Sequence, residues 1–249
     1  MRILGVDTAT STASVALVED SQLLAEAGQF SQRENGAIFR AKGNHSETVL
    51  PLIQAVLDQA QVGLADLSAI AISIGPGSFT GLRIGLALVK GLAYQSDLPV
   101  IGVSSLEAQA ARVNDLDGII CPLIDARKQE VYAALFDRRA GTLLRRMPDQ
   151  VFDVAALATV AELIAAVSPI NFVGNGSARY GKELTQMFGA RARVIGDACD
   201  YSVGHALARL GQERFSAMSG ADLGRLVPFY LGSSQALGNT RVNPPNSLK

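Results

Sequence analysis

The chain has 249 residues, of which 48% are apolar and 18% charged, and its 22 basic and 23 acidic residues leave a formal net charge of −1. This balance excludes an intrinsically disordered chain and a free-standing binder of polyanions. The length is sufficient for two modest domains. The sequence has 2 cysteines, Cys121 and Cys199, which are far apart, so neither a disulfide framework nor a thiolate metal site is indicated.

The apolar segments of the chain do not resemble targeting or membrane segments. Asp7 interrupts the N-terminal apolar run too early for a signal peptide. The runs 84–93 and 154–167 contain Lys90 and Glu162 before they reach the length of a membrane span. The sequence therefore predicts a cytoplasmic protein that does not contact a membrane.

The first half alternates apolar strand patterns with amphipathic helix patterns. Residues 28–43 form a polar segment that is too long for an ordinary connection. Such an alternation predicts a sheet with parallel strands and helices on its faces. In chain order the predicted elements are strands 3–6, 13–18 and 23–27, a helix that ends at Ala60, strand 68–74, helix 80–94, strand 98–103 and helix 106–113.

The second half repeats the first. Residues 121–125 match 3–7 at an offset of 118, and 131–135 match 13–17 at the same offset. A strand at 143–147, a helix at 154–167 and a strand at 170–173 follow, and the last of these leads into Gly174-Asn175-Gly176-Ser177. The predicted fold class is α/β, with duplicated βββαβα domains. We expect domains at 1–104 and 105–233 and a polar tail at 234–249.

Two βββαβα domains, each with an aspartate at the end of its first strand, resemble the actin, Hsp70 and hexokinase (ASKHA) superfold, in which ATP lies between the domains. The plan alone does not specify a function. Five separated motifs in order are similar to those of the TsaB (formerly YeaZ) family, and the resemblance covers roughly residues 1–231. These motifs are Asp7–Thr10, His45–Glu47, Gly75–Gly85, Leu98–Leu106 and Ile124–Arg127.

This resemblance implies a non-catalytic scaffold subunit, needed for threonylcarbamoylation of the adenosine beside the anticodon in tRNAs that read A-starting codons. The implied partners are a TsaD-like transferase, which carries the chemistry, and a TsaE-like ATPase. The chain would form a homodimer when alone and would contact tRNA only indirectly. The alternatives are an ASKHA-fold ATPase or small-molecule kinase, and an M22-like peptidase.

The residues themselves favour a protein without chemistry of its own. At the positions matching the H-x-x-x-H metal pair of TsaD-like proteins this chain has Ser105 and Gln109, which do not replace imidazole ligands. The 2 histidines, His45 and His205, fall in different halves. No G-x-S-x-G nucleophile elbow is present, so a peptidase is disfavoured. We expect no catalytic residue and no metal ligand.

Five residues form a candidate nucleotide cleft: Asp7, Thr8, Asp125, Gly174 and Gly176. The turns that follow the two aspartates contain no glycine, although close approach of backbone amides to phosphate usually requires it. Two interpretations of the aspartates stay open, namely caps of the adjoining turns and ligands of a nucleotide's metal. No cofactor is expected beyond weak or partner-dependent nucleotide binding.

The helix at 80–94 carries the strongest signal for an interface. Each glycine inside it costs up to about 1 kcal/mol relative to alanine, so some contact must compensate. One interpretation is close packing on the chain's own sheet; the family resemblance implies pairing with a partner, and Gly85→Leu would then block association in a folded chain. Arg83 is expected to form a structural ion pair. The predicted partner interface is Val49, Ile53, Val56, Gly81, Gly85, Leu88 and Leu92.

Overall fold

The fold is described from a computed structural model, over residues 1–28, 45–113, 116–165, 168–196, 202–215 and 226–232. The predicted long segment 28–43, apart from Gly28, and the predicted tail 234–249 lie outside these ranges. Within the ranges, no helix combines the length and the apolar character that a membrane span requires.

The first half forms one five-stranded sheet with three helices. In chain order its elements are β1 (Arg2–Asp7), β2 (Ser14–Glu19), β3 (Gln22–Gly28), α1 (His45–Ala60), β4 (Ala69–Gly75), α2 (Phe79–Ser96), β5 (Val100–Ser104) and α3 (Ser105–Ala111), with a short 3-10 helix at Leu64–Asp66. The strand order is β3-β2-β1-β4-β5. Strands β1, β2 and β3 pair antiparallel, while β4 pairs parallel with β1 and with β5.

The second half repeats this plan. Its elements are β6 (Gly118–Arg127), β7 (Glu130–Arg139), β8 (Thr142–Asp153), α4 (Val154–Ala165), β9 (Ile170–Val173), α5 (Asn175–Arg179), α6 (Gly181–Phe188), a 3-10 helix at Gly189–Arg191, β10 (Ala192–Gly196) and α7 (Val203–Phe215). The strand order is β10-β9-β6-β7-β8, which is the order of the first sheet read from the other edge. The predicted α/β class with a duplicated βββαβα unit is confirmed.

Several elements of the second half differ from the sequence prediction. Strand β8 extends to Asp153, well beyond the predicted end at Met147, because it continues to pair with β7 on both sides of an irregularity. Helix α6 and strand β10 were not predicted. Helix α6 is amphipathic, with Leu184 and Phe188 buried on one side, but its 8 residues are too few for a reliable helical pattern in the sequence. In β10 the apolar residues do not alternate clearly with polar ones.

One face of each sheet is covered by a helix that follows a strand of the other sheet in the chain. Helices α1 and α2 cover one face of the first sheet, and α4 and α6 cover one face of the second. On the opposite faces, α7 lies against the first sheet and α3 against the second. The domain limits 1–104 and 105–233 stay a prediction, but α7, which falls in the second range, completes the core of the first sheet.

Helix α7 crosses the first sheet at very short range because the contact residues are small. A Cβ atom on Gly5 of β1 would lie 2.0 Å from the carbonyl oxygen of Gly204. A Cβ atom on Gly211, two turns later, would lie 2.6 Å from the Cβ atom of Ala71. Backbone therefore packs on backbone at this crossing, which holds the last helix firmly on the first strand.

Candidate functional site

Asp7, at the end of β1, is a buried carboxylate with contacts inside its own half. Its Oδ1 accepts a hydrogen bond of 3.1 Å from the amide of Ala9, which is the contact expected of a turn cap. Burial raises the pKa of Asp7, and a hydrogen bond from Ser73 together with the charges of Arg112 and His45 opposes that rise. The turn-capping contact is thus present, and binding of a nucleotide's metal at Asp7 stays a prediction.

Asp125, at the equivalent place in the second half, is already paired. Its Oδ2 accepts a 2.8 Å hydrogen bond from Nη1 of Arg179, and its Oδ1 accepts one of 3.0 Å from the amide of Arg127. The amide of Asp125 donates to Oδ1 of Asn175 at 3.1 Å. A metal at this carboxylate would compete with the guanidinium of Arg179, and binding of a nucleotide's metal at Asp125 stays a prediction.

Gly174 and Gly176 have a packing explanation that requires no ligand. Gly174 adopts a φ of +89°, and a Cβ atom there would lie 2.6 Å from the carbonyl oxygen of Leu123 in β6. A Cβ atom on Gly176 would lie 2.9 Å from the carbonyl carbon of the same residue. Both glycines allow the start of α5 to approach β6, so their spacing is no evidence for an adenosine site.

Ser105 and Gln109 of α3, which the resemblance sets against a histidine pair, make hydrogen bonds within the chain. The amide of Gly75 donates to the Ser105 hydroxyl at 3.1 Å. Nη1 of Arg112 donates to Oε1 of Gln109 at 2.7 Å, and the Gln109 side chain lies beside Gly174 of the second half. Both residues are buried. Across the described ranges, no group of three or more His, Cys, Asp or Glu side chains is close enough to hold a metal ion.

The glycines of α2 pack against the turn that follows β1. A Cβ atom on Gly81 would lie 2.2 Å from the carbonyl oxygen of Thr8, and one on Gly85 would lie 2.3 Å from its Oγ1. The first interpretation, close packing within the chain, is therefore the one that these contacts describe. The expectation that Gly85→Leu would affect only association is wrong, because a side chain there would overlap Thr8 and lower the stability of the chain itself.

The other predicted interface residues are also part of the chain's own core. Val49, Ile53 and Val56 of α1 are fully or almost fully buried against the first sheet. Leu88 and Leu92 of α2 are partly buried on the same core. Contact of these positions with a partner stays a prediction, but in the single chain they do not form an open apolar face.

The exposed face of α1 and α2 consists of other residues. On α2, Ala87, Gly91 and Tyr94 are exposed, and Tyr94 is 86% accessible. On the neighbouring helix α1, Leu50 is 48% accessible. A Cβ atom on Gly91 would have no described atom within 4 Å. The sequence contained a signal for this surface, since Ala87 and Gly91 are four residues apart, but spacing alone could not separate it from the buried pair Gly81 and Gly85.

Arg83 contacts aromatic rings, and no carboxylate within the described ranges forms the ion pair that the sequence suggested. Its guanidinium carbon lies 3.7 Å from the centre of the Phe79 ring, and its Nε donates to the hydroxyl of Tyr230 at 2.9 Å. The segment that carries Tyr230 is tied to β4, because the amide of Phe229 donates to the carbonyl of Ile74 at 2.7 Å. Arg83 thus links the segment 226–232 to the start of α2.

Comparisons with known proteins agree along nearly the whole chain. A family model described as TsaD, tRNA N6-adenosine threonylcarbamoyltransferase, matches residues 39–236. The tRNA threonylcarbamoyladenosine biosynthesis protein TsaB of Bacillus subtilis (strain 168) is 34% identical over 238 residues, which are 95% of this chain and 96% of that protein. The protein of the same name from Escherichia coli (strain K12) is 40% identical over 140 residues, or 55% of this chain and 56% of that protein.

A solved structure shows the same similarity in three dimensions. YeaZ from Pseudomonas aeruginosa superposes with a TM-score of 0.70 and is 26% identical in sequence. The superposition covers 92% of this chain and 99% of that chain. The similarity is therefore one of complete architecture, with both sheets included.

Proposed function

The chain belongs to the TsaB (YeaZ) family, and on that premise we propose that it serves in tRNA threonylcarbamoyladenosine synthesis as a non-catalytic subunit. In this role it binds and stabilises a TsaD-like transferase and helps to dock a TsaE-like ATPase. The match to a relative named TsaB over 95% of this chain carries the proposal. A cytoplasmic location, predicted from the composition, suits this role.

The hydrogen bonds of three polar residues at the candidate sites support a role without catalysis. Asp125 is engaged by Arg179, and Gln109 is engaged by Arg112. Ser105 accepts a hydrogen bond from the backbone of β4. A catalytic cleft needs polar groups that are free to meet a substrate, whereas these groups are committed to contacts within the chain.

We place the partner surface on the exposed face of α1 and α2. No described atom packs closely against Gly91, so no contact within the described chain explains why this position is a glycine. A glycine inside a helix costs roughly 1 kcal/mol relative to alanine, and nothing described offsets that cost. A second helix that packs closely over Ala87 and Gly91 would use the space that small residues leave. Tyr94, three residues after Gly91, adds exposed apolar area on α2, and Leu50 adds exposed apolar area on α1. The same face would pair two copies of the chain when the partner is absent.

Gly91→Leu is expected to weaken binding to a TsaD-like protein at least about tenfold, which corresponds to about 1.4 kcal/mol. The added side chain would hold the two helices apart, while the monomer stays folded because the position is open. Sedimentation velocity of the mixed proteins measures the effect. Gly91→Ala is the matched control and should retain the complex. Unchanged association of Gly91→Leu would contradict the placement of the surface.

Reconstitution of tRNA modification tests the function itself. A TsaD-like protein, a TsaE-like protein, tRNA and threonylcarbamoyl-adenylate should give modified tRNA at full rate only when this chain is added. The chain alone should show no turnover of ATP, sugars or peptides above background. Turnover by the isolated chain would favour the kinase or peptidase alternative, and modification that is independent of the chain would refute the proposal.

A further inference from the structure

Helix α2 carries one charged group toward each end of its exposed face. Arg83 lies near its start, and Asp97 is its C-terminal cap. The two positions are roughly four helical turns of 3.6 residues apart, so both lie on the same side of the helix. Both residues are exposed, as are Ala87 and Tyr94 between them. This side of α2 therefore has a positive end and a negative end.

The guanidinium of Arg83 is fixed in position but has no counter-ion among the described residues. Its Nε donates to the Tyr230 hydroxyl at 2.9 Å, and its guanidinium carbon lies 3.7 Å from the centre of the Phe79 ring. Within the described ranges this is its one hydrogen bond, so Nη1 and Nη2 are available to an acceptor outside the chain. Because the side chain is already held, such an acceptor binds at little cost in conformational entropy.

The C-terminal end of α2 has an excess of negative charge. The last turn contains no basic residue, although a helix C-terminus itself carries a partial negative charge. Asp97 adds a full negative charge at this end, where it adopts a left-handed φ of 51°. In the part of the chain that the structure describes, no cation forms an ion pair with Asp97. A cation from another molecule would thus be stabilised here.

We propose that this surface binds a second copy of the chain with the two α2 helices antiparallel, so that Arg83 of each copy pairs with Asp97 of the other. The location of the contact rests on the proposed function, whereas its orientation follows from the charges. A twofold axis that passes between Ala87 and Gly91 places Arg83 level with Gln95 of the second copy. Asp97 lies about 3 Å farther along the helix axis, which the arginine side chain spans.

The charges select this orientation over a parallel one. In a parallel pair, Arg83 would lie level with Arg83 of the second copy and Asp97 with Asp97, so no opposite charges would meet. In the antiparallel pair the symmetry forms both ion pairs at once. It also sets the start of one helix beside the end of the other, which the helix dipoles favour.

The residues near the twofold axis are compatible with this contact. Ala87 and Gly91 are small and exposed, which allows the helices to approach closely. Tyr94 is 86% accessible and supplies apolar area between the axis and the charged end. Lys90 is half-buried, and its long stem lets the ammonium group reach solvent at the edge of the contact.

Sedimentation velocity of the full chain alone, over the micromolar concentration range, tests the proposal. Wild type should form a concentration-dependent dimer. Arg83→Glu and Asp97→Arg should each weaken the dimer at least about tenfold, because each makes both symmetric pairs repulsive. The double variant restores opposite charges and should recover most of the affinity. Arg146→Glu makes the same change of charge at an exposed position of β8 and should have no effect.

Asp97→Asn separates the effect on pairing from an effect on folding. Asparagine also adopts the left-handed conformation, so this variant removes the charge and keeps the helix cap. It should weaken the dimer about threefold, with a thermal unfolding midpoint close to that of wild type. This variant is needed because Arg83→Glu also loses the hydrogen bond to Tyr230 inside the chain.

Three results would overturn the inference. One is a wild type that stays monomeric; if it still binds a TsaD-like protein, the proposed function stands and only the second copy is excluded. Another is equal dimerisation of wild type, Arg83→Glu and Asp97→Arg, and loss of the dimer in Gly91→Leu alone would then mean a different orientation on the same surface. The third is a folded double variant that does not recover. Modification of tRNA that is independent of the chain would instead refute the proposed function, whatever the dimer does.

Discussion

Replacing Gly85 with leucine is expected to lower the free energy of unfolding by about 3–5 kcal/mol. The Cβ atom alone would lie 2.3 Å from Oγ1 and 2.9 Å from Cγ2 of Thr8, and Thr8 is completely buried on the turn after β1. Neither the turn nor the helix can withdraw, since Gly81 and Gly77 make equally close contacts with the same turn. A chain of this kind has about 5–15 kcal/mol in total, so the loss is a large fraction.

Urea unfolding followed by circular dichroism measures this loss, together with a decrease of the thermal midpoint on the order of 10 °C. Gly91→Leu is the matched control, because it makes the same chemical change on the same helix at an open position. Its stability should equal or slightly exceed that of wild type, since leucine is the better helix former. Equal stability of the two variants would show that α2 does not pack on the Thr8 turn as described.

Acid should destabilise the protein through His205 by up to about 3 kcal/mol. Burial in α7, with a smaller contribution from the charge of Arg209, lowers the pKa of His205 to about 4 from its ordinary value of 6.5. The unfolded chain therefore binds a proton at a pH at which the folded chain does not. The penalty is absent above about pH 6.5 and grows as the pH falls toward 4, so stability decreases through that window.

Free energies of unfolding measured at pH 7 and at pH 4.5, for wild type and for His205→Gln, isolate this effect. Other titrating groups, such as the Asp7 carboxyl, contribute equally to both proteins and cancel in the comparison. The variant should lose clearly less stability on acidification than wild type does. Parallel pH profiles of the two proteins would mean that His205 titrates near its ordinary pKa in the folded state.

Much of the fold could be read from the sequence because its signals are local. The strands that carry Asp7 and Asp125 are short apolar runs, and the constant offset between the halves indicated a duplicated unit before any pairing was known. The position of α7 could not be predicted in this way. Its contact with Gly5 joins residues from opposite ends of the chain, and no local pattern specifies which sheet a helix covers.

The candidate site was predictable only in part, for a similar reason. That Ser105 and Gln109 are not histidines could be read from the sequence, because residue identity needs no structure. Helical spacing gives no reason to distinguish Gly81, Gly85 and Gly91. In the structure, however, Gly81 and Gly85 are buried against Thr8, whereas Gly91 is exposed. Spacing shows which residues share one side of a helix, but packing determines whether that side faces the core or the solvent.

The position of α7 over the first sheet has a consequence for how the protein is made. Strands β1 to β5 leave the ribosome long before α7 does, yet Val203, Leu207 and Leu210 of that helix cover one apolar face of their sheet. During synthesis this face is without its helix, so the nascent chain offers a surface of the kind that chaperones recognise. Any premature stop codon before residue 203 would leave the same surface uncovered in the released product.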